Sequence, residues 1–260
     1  MFRSLVLAAA VFLGLCAPAR AQALVHSGDR IVPFGNSISD SRVWVNPAGG
    51  LLAQLDTGLK HIGGTAGNGF IAGSQGSSFI AGKVTGYAFF NAGVNGNQTS
   101  DMLARVQGVI ALNPNVLIVE GGVNDINGGA GAATAIANMT SIVQAVQAAL
   151  PNCKIVVTGI VVFGEAWVTG PPAAWGPGNG PADTVDAGYQ SLCATLGCTY
   201  VPFRPAVLQW EAANNPTQAN TGVFTDDGIH PKNPGWLGAP TPAPTVVLGT
   251  IARPFFTVVP

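Results

Sequence analysis

The chain has little charge and few of the residues that bind metals or nucleic acids. Charged residues make up 9% of its 260 residues, with 11 Lys and Arg against 12 Asp and Glu and no basic run. Because phosphate neutralisation needs clustered Lys and Arg, we expect no nucleic-acid partner. The 3 histidines form no cluster with Cys or acidic residues at metal-ligand spacing, and no nucleotide-binding glycine loop follows the first predicted strand. We therefore expect neither a metal nor another cofactor.

Long apolar runs are also missing, except at the N-terminus. There Arg3 precedes an apolar run over residues 5–17, and Ala19-Arg20-Ala21 fits a small-x-small cleavage signal. We interpret residues 1–21 as a signal peptide, in preference to a buried N-terminal helix. The run is too short for a comfortable membrane span, so we expect no membrane span after cleavage and a secreted or periplasmic protein.

Residues 22–260 fit a single globular domain with generous loops. Hydrophobic residues make up 48% of the sequence, enough for a core, while 35 Gly and 19 Pro predict much irregular structure. We expect Gly- and Pro-rich loop insertions at about residues 61–86, 164–182 and 232–244. No feature of the sequence indicates an oligomeric state.

Three cysteines follow the signal peptide: Cys153, Cys193 and Cys198. Export predicts a disulfide bond, and two pairings compete. Cys193 and Cys198 are close in sequence, at a helix end and before the next strand. Cys153 and Cys198 each precede a predicted strand, and neighbouring strands of a parallel sheet would bring them together. We favour Cys193–Cys198, and either pairing leaves one thiol unpaired.

Apolar and amphipathic segments alternate along the chain and predict strands separated by helices. The predicted strands are residues 30–34, 87–91, 116–120, 154–162 and 199–203. The predicted helices are residues 49–60, 99–112, 132–150 and 183–196, with a last helix near residues 245–252. This alternation predicts an α/β three-layer sandwich, in which helices cover both faces of a central five-stranded, mainly parallel sheet.

Glycines and polar residues follow three of the predicted strands, where an α/β sheet gathers its functional groups. They are Gly35-Asn36-Ser37-Ile38 after the first strand, Asn91-Ala92-Gly93 after the second and Gly122-Val123-Asn124-Asp125 after the third. A fourth segment, Asp227-Gly228-Ile229-His230, lies late in the chain. Because parallel strands end at one edge of the sheet, we expect the three segments that follow strands to form one crevice.

Ser37, Asp227 and His230 are the residue types of a catalytic triad. A serine hydroxyl is a poor nucleophile until a base accepts its proton, and histidine suits that role at neutral pH. Histidine needs an acid to orient it, and Asp227 lies three residues before His230, so one turn can present both. We predict Ser37 as nucleophile, His230 as general base and Asp227 as its partner, with Asp226 as the alternative partner. The Gly-x-Ser-x-Gly motif of α/β-hydrolases is absent.

The four segments resemble the sequence blocks of the SGNH hydrolases, also called GDSL-type esterases and lipases. The resemblance spans about residues 30–231 and implies the SGNH, flavodoxin-like form of the sandwich. It also implies an oxyanion hole formed by the backbone N–H groups of Ser37 and Gly93 and by the side-chain amide of Asn124. Asn36 departs from the family, which usually has Asp there. Since that residue is not the nucleophile, we expect altered hydrogen bonding and retained activity.

Three tryptophans in predicted loops are candidates for contact with the substrate. Trp44, Trp167 and Trp175 could stack on sugar rings or hold an acyl chain, or instead close the core under the loops. We predict a secreted serine esterase that hydrolyses short acyl esters through an acyl-enzyme on Ser37, with acetylated carbohydrate as the candidate substrate. The alternatives are an acyltransferase with the same triad and a non-catalytic carbohydrate-binding protein on this scaffold.

Overall fold

The computed structural model describes residues 23–26, 28–37, 39, 80–84, 87–160, 180–214 and 255–259. The predicted signal peptide, the helices predicted at residues 49–60 and 245–252, and the loop predicted at residues 232–244 lie outside the described residues. The elements in chain order are β1 (Ala23–His26), β2 (Arg30–Gly35), β3 (Ile80–Val84), β4 (Tyr87–Gly93), α1 (Thr99–Ala104), α2 (Val106–Ala111), β5 (Val116–Val119), α3 (Val123–Asn127), α4 (Gly131–Ala149), β6 (Lys154–Thr158), α5 (Gly180–Leu196), β7 (Thr199–Val201), α6 (Phe203–Asn214) and β8 (Phe256–Val259).

Five parallel strands form most of a six-stranded sheet in the order β3-β4-β2-β5-β6-β7. Strand β2 pairs in parallel with β4 and β5, and β6 pairs in parallel with β5 and β7. The predicted five-stranded parallel sheet is therefore confirmed. All residues of β5 are buried. Because successive side chains of a strand point to opposite faces, both faces of the sheet are covered at its centre.

The sixth strand shows that the prediction of an irregular insertion over residues 61–86 was wrong for residues 80–84. Strand β3 pairs antiparallel with β4, and Val84 lies opposite Tyr87. Two residues separate the strands in sequence, so this pairing closes a very short loop at little entropic cost. An antiparallel edge strand on an otherwise parallel sheet is a common arrangement.

Helix α4 shows why an amphipathic segment of this chain folds as a helix. Its buried residues recur at helical spacing and line one face: Ala135, Met139, Ile142, Val143 and Val146. That helix packs against α1 and α5. Helix α5 begins at Gly180, so the last three residues of the loop predicted over residues 164–182 are helical. No helix in the described ranges is long and apolar enough to cross a membrane.

The helix predicted over residues 99–112 is two short helices, α1 and α2, which are separated at Arg105 (φ −109°, ψ 9°). At this break between the two helices, the Arg105 side chain donates hydrogen bonds to backbone carbonyls at the ends of β2 and β4. Helix α6 was not predicted. Neither was the small parallel sheet of β1 and β8, in which Ala23 pairs with Phe256.

The disulfide bond joins Cys193 to Cys198, as favoured from the sequence. Helix α5 ends one turn before β7 begins, and Gly197 reverses the chain with a φ of +73° that glycine adopts readily. This reversal brings the two Cα atoms to 4.5 Å. Cys153 keeps a free thiol, and burial raises its pKa to about 12.

Candidate active site

The carboxyl ends of β2, β4 and β5 bring three of the predicted site residues to one edge of the sheet. Ser37 lies two residues after β2 and is 8% exposed. Gly93 ends β4 and is register-paired with Gly35, and the N–H of Val94 donates to the Gly35 carbonyl at 3.0 Å. Asn124 lies in α3, which follows β5. The segments expected to form one crevice therefore end side by side.

The other predicted site residues lie outside the described part of the chain: Asp227, His230, Trp44, Trp167 and Trp175. The triad and the aromatic substrate contacts stay predictions for that reason. Across the described ranges, no group of three or more His, Cys, Asp and Glu side chains is arranged to hold a metal ion.

Gly35 allows the turn that carries Ser37 to pack tightly against the end of β5. A Cβ atom at Gly35 would lie 2.2 Å from Ser39 Oγ, 2.6 Å from the Glu120 carbonyl oxygen and 2.9 Å from Glu120 Oε2. Real Cβ atoms do not approach other atoms so closely. The glycine before Asn36 and Ser37 is therefore required by packing and not by an unusual backbone conformation.

Glu120 is a buried acid that accepts hydrogen bonds from residues on both sides of Ser37. Its Oε1 accepts a hydrogen bond from Asn36 Nδ2 and its Oε2 accepts one from Ser39 Oγ, both at 3.2 Å. The backbone N–H of Asn36 also donates to the carboxylate. Burial raises the pKa of the Glu120 carboxyl to about 7, although the Ser39 and Asn36 hydrogen bonds lower it; the charge of Asp125 adds to the rise.

The role of Glu120 was missed in the sequence. A signal was available, because Glu120 follows four apolar residues that form a wholly buried strand. A charged residue at such a position is rarely buried unless hydrogen bonds or another charge compensate for it. Here the partners are Asn36 and Ser39, which come from the segment predicted to hold the nucleophile.

Arg105 joins the ends of β2 and β4. Its Nη2 donates to the Gly35 carbonyl, its Nη1 to the Ala92 carbonyl and its Nε to Asn97 Oδ1, each at 2.7 Å. The guanidinium also lies 4.6 Å from the centre of the Phe34 ring. Burial lowers its pKa to about 10, against the opposing effect of Asp101, so the group keeps its charge at neutral pH.

The side-chain amide of Asn124 is held by the turn that follows β4. Asn124 Nδ2 donates to the backbone carbonyl of Asn97 at 2.9 Å. Because Asn97 Oδ1 accepts from Arg105, one residue connects Arg105 to Asn124. An amide nitrogen carries two hydrogens, so this bond uses one of them.

Asp125 has a structural role next to Asn124. Its carboxylate is buried and accepts hydrogen bonds from the backbone N–H and the hydroxyl of Thr99, at the start of α1. Asn138 Nδ2 donates to the same hydroxyl at 3.1 Å. This network fixes α1 to α3 and α4, and thereby the turn that holds Asn124.

Gly96 is a second glycine in the turn after β4 and was not singled out in the sequence. It is exposed, its φ is +78°, and a Cβ atom there would meet nothing within 4 Å among the described residues. Gly93, in contrast, is buried within the β4 ladder. The dipeptide Asn95-Gly96 is a turn signal that could have drawn attention to this position.

Comparison with known proteins gives one family and several solved structures. Residues 34–235 match the sequence model of the GDSL-like Lipase/Acylhydrolase family. A Parabacteroides merdae protein described as a GDSL-like lipase shares 18% identity over 90% of this chain and 99% of its own, with a TM-score of 0.64. Comparison with curated protein sequences gives no match.

Two acetyl xylan esterases also share the fold. The esterase AlAXEase is 20% identical over 85% of this chain and 96% of its own, with a TM-score of 0.60. Axe2 from Geobacillus stearothermophilus is 16% identical over 89% of this chain and 93% of its own, with a TM-score of 0.57. Identities this low establish the fold alone. The family model matches residues 34–235, which is most of the chain, and this match establishes the family. The chain therefore belongs to the GDSL-like lipase/acylhydrolase family, whose members hydrolyse ester bonds.

Proposed function

We propose that this esterase is a serine hydrolase in which Ser37 is the nucleophile, His230 the general base and Asp227 the residue that orients His230. The observation that carries the proposal is the position of Ser37, directly after β2 at the carboxyl edge of the sheet, beside the segments that contain Gly93 and Asn124. Buried hydrogen bonds from the residues on both sides of Ser37 hold its turn. A nucleophile held in this way loses little freedom on attack.

The proposed reaction has two halves. Ser37 Oγ attacks the ester carbonyl carbon while His230 accepts the hydroxyl proton, and the alcohol then leaves with that proton. In the second half His230 takes a proton from water, and the resulting hydroxide attacks the acyl group on Ser37. The acid leaves as Ser37 Oγ regains a proton from His230, and Asp227 stabilises the imidazolium in both halves.

Three N–H donors are proposed for the oxyanion. Asn124 supplies the amide hydrogen that is not used by the Asn97 carbonyl. Ser37 supplies its backbone N–H, and Gly93 or Gly96 supplies the third; the exposure and open surroundings of Gly96 favour it for this role. Loss of one such donor typically costs about 2.7–4 kcal/mol of transition-state stabilisation.

The proposed substrate is a short acyl ester, with acetyl groups on carbohydrate as the preferred class. The acetyl xylan esterases that share the fold support this choice. Trp44, Trp167 and Trp175 would supply the aromatic faces that sugar rings stack on. Export to a periplasmic or extracellular space is proposed from residues 1–21 and is supported by the Cys193–Cys198 disulfide, since disulfides persist in oxidising compartments.

The test compares p-nitrophenyl acetate hydrolysis by the wild type, Ser37→Ala and Ser141→Ala. Ser141 is a matched control, because it is an exposed serine whose Oγ donates to the Ala137 carbonyl of its own helix. We expect Ser37→Ala to lose about 10⁴-fold or more in kcat, and Ser141→Ala to match the wild type. Equal turnover by Ser37→Ala and the wild type would reject Ser37 as the nucleophile.

The acyl and alcohol preferences need a separate comparison. We expect kcat/KM to fall from p-nitrophenyl acetate to the butyrate and octanoate esters, and acetylated xylo-oligosaccharides to release acetate. A higher kcat/KM for octanoate than for acetate would contradict the short-acyl proposal and leave the serine mechanism intact.

A further inference from the structure

Three hydrogen-bond donors from the turn that carries Ser37 converge on one buried carboxylate. Asn36 contributes its backbone N–H and its side-chain amide, and Ser39 contributes its hydroxyl. Asn36 precedes Ser37 and Ser39 follows it by two residues, so the contacts bracket Ser37 on both sides. The backbone N–H of Glu120 in turn donates to the Phe34 carbonyl at 3.0 Å, which ties the acid to β2.

We propose that Glu120 is a positioning residue for the nucleophile, which fixes the Ser37 turn through Asn36 and Ser39. This inference rests on the proposed role of Ser37. In the proposal Glu120 acts through its hydrogen bonds to Asn36 and Ser39 and not by contact with the substrate or the reacting atoms. Its effect is to hold the Ser37 hydroxyl in the position for attack.

The ionised form of Glu120 is the one that suits these contacts. A carboxylate only accepts hydrogen bonds, and all three groups that face it from the Ser37 turn are donating. A protonated Glu120 would bring a fourth hydrogen into the cluster, so one of the donors would have to turn away. Protonation of Glu120 is therefore expected to loosen the turn and lower the rate.

The charged and titratable groups around Glu120 come from three neighbouring elements. Asp125 in α3 raises its pKa, and Arg105 lies between α1 and α2 with its Nη2 on the Gly35 carbonyl. Tyr189 in α5 is buried and donates to the Gly121 carbonyl at 3.3 Å. Burial and the charges of Asp125 and Glu120 raise the pKa of Tyr189 well above its ordinary value, so it stays neutral.

The amide of Asn36 allows Glu120 to ionise without a second acid beside it. The family usually has Asp at this position, and an aspartate would place a second carboxyl group about where Asn36 Nδ2 lies, 3.2 Å from Glu120 Oε1. Two carboxylates so close cannot both ionise readily, so they would share a proton. With Asn36 the neighbour is a donor, and Glu120 can ionise alone in the neutral range.

The main test is the pH dependence of kcat/KM for p-nitrophenyl acetate in the wild type, Glu120→Gln and Ser141→Ala. For the wild type we expect protonation of His230 to give a slope of 1 in log(kcat/KM), and protonation of Glu120, whose pKa is about 7, to add a further 10- to 100-fold fall, so the slope exceeds 1 over about one to two pH units on the acid side. Glu120→Gln should retain a slope of 1. Its kcat should fall by about 10- to 100-fold, with KM changed much less, because a misplaced nucleophile slows the chemical step.

Two further variants test the idea if Glu120→Gln does not fold. Ser39→Ala removes one donor and Asn36→Asp replaces another with a second acid, so both disfavour the ionised carboxylate. We expect the acid limb of the profile to move to higher pH in both, and further in Asn36→Asp, by about one unit or more. Acid limbs that coincide with the wild type would overturn the proposal, as would Glu120→Gln with wild-type kcat and slope.

Ser37→Ala, measured alongside, separates the two proposals. If Ser37→Ala retains turnover, the serine mechanism fails and Glu120 has no nucleophile to position. If Ser37→Ala is inactive while the Glu120, Asn36 and Ser39 variants have the wild-type profile, the Glu120 proposal alone fails.

Discussion

Arg105 Nη2 donates to the backbone carbonyl of Gly35 at 2.7 Å, two residues before Ser37. The same guanidinium donates to Ala92, beside Gly93, and to Asn97, whose backbone carbonyl holds the Asn124 amide. A single cation thus connects the backbone segments of all the residues proposed as oxyanion donors. We expect its geometry, and not only its charge, to matter, because an ammonium group cannot reproduce three N–H bonds from one rigid plane.

Arg105→Lys is therefore predicted to lower kcat/KM by about 10- to 100-fold, the effect of a small displacement of catalytic groups. Arg30→Lys is the matched control. Arg30 also bonds to a backbone carbonyl, that of Leu112, and its guanidinium lies 5.4 Å from the Phe90 ring, but it begins β2 at the opposite edge of the sheet. Thermal unfolding of both variants should show similar losses of stability, with activity lost only in Arg105→Lys. Equal activity in both would contradict this role.

Gly35→Ala is predicted to destabilise the protein and reduce its activity, because the new methyl group would lie 2.2 Å from Ser39 Oγ and 2.6 Å from the Glu120 carbonyl oxygen. Overpacking of this kind costs about 1–3 kcal/mol of unfolding free energy. Gly180→Ala, at an exposed helix start where a Cβ atom would meet no described residue within 4 Å, should be neutral. Urea unfolding measures both, and an unchanged midpoint for Gly35→Ala would contradict the packing described for this turn.

Glu120 is predicted to make stability fall as the pH rises. Its pKa is about 7 in the folded protein against an ordinary value of 4.5, so between these values the folded state holds a proton that the unfolded state has lost. Stability therefore decreases through that window, by at most about 3 kcal/mol for a shift of this size. Glu120→Gln lacks this loss, so its unfolding free energy relative to the wild type should be more favourable at pH 8 than at pH 5. Parallel pH dependences would contradict the shift.

The Cys193–Cys198 disulfide is predicted to stabilise the fold without affecting catalysis. It closes a short loop with a sequence separation of 5, and the chain-entropy model assigns about 2 kcal/mol to a loop of that size. Cys198 precedes β7, at the amino edge of the sheet and away from the Ser37 edge. Replacing both cysteines with alanine should lower the unfolding free energy and leave kcat/KM unchanged, with Cys153→Ala as the control. A large loss of activity at an unchanged fold would contradict this placement.

The sheet could be predicted because its strands are nearly continuous apolar runs, and the buried Val116–Val119 strand shows why such runs are needed. The position of Ser37, Gly93 and Asn124 at one edge follows from the same parallel topology. Strand β3 could not be recognised from residues 80–84, because its pairing with β4 is a tertiary contact in a glycine-rich stretch.

Side-chain contacts between distant segments were the other limit. Arg105 lies in an apparently regular helical pattern, yet its bonds to Gly35 and Ala92 accompany a break that local propensity does not show. In the sequence, Glu120 resembles the polar end of an apolar strand. Its burial becomes visible only in the structure, where Gly35 and Ser39 pack against it. The Arg105–Gly35 bond joins residues 70 positions apart, and the Glu120 bonds to Asn36 and Ser39 join residues 84 and 81 positions apart, beyond the reach of any local pattern.

A covalent label identifies the residue that forms the acyl intermediate, which we propose to be Ser37. The protein is treated with a fluorophosphonate, which reacts with activated serine nucleophiles, and the modified peptide is identified by mass spectrometry. We expect one phosphonyl group on Ser37 in the wild type and in Ser141→Ala, and none in Ser37→Ala. A label on another residue, or full loss of esterase activity with Ser37 unmodified, would contradict it.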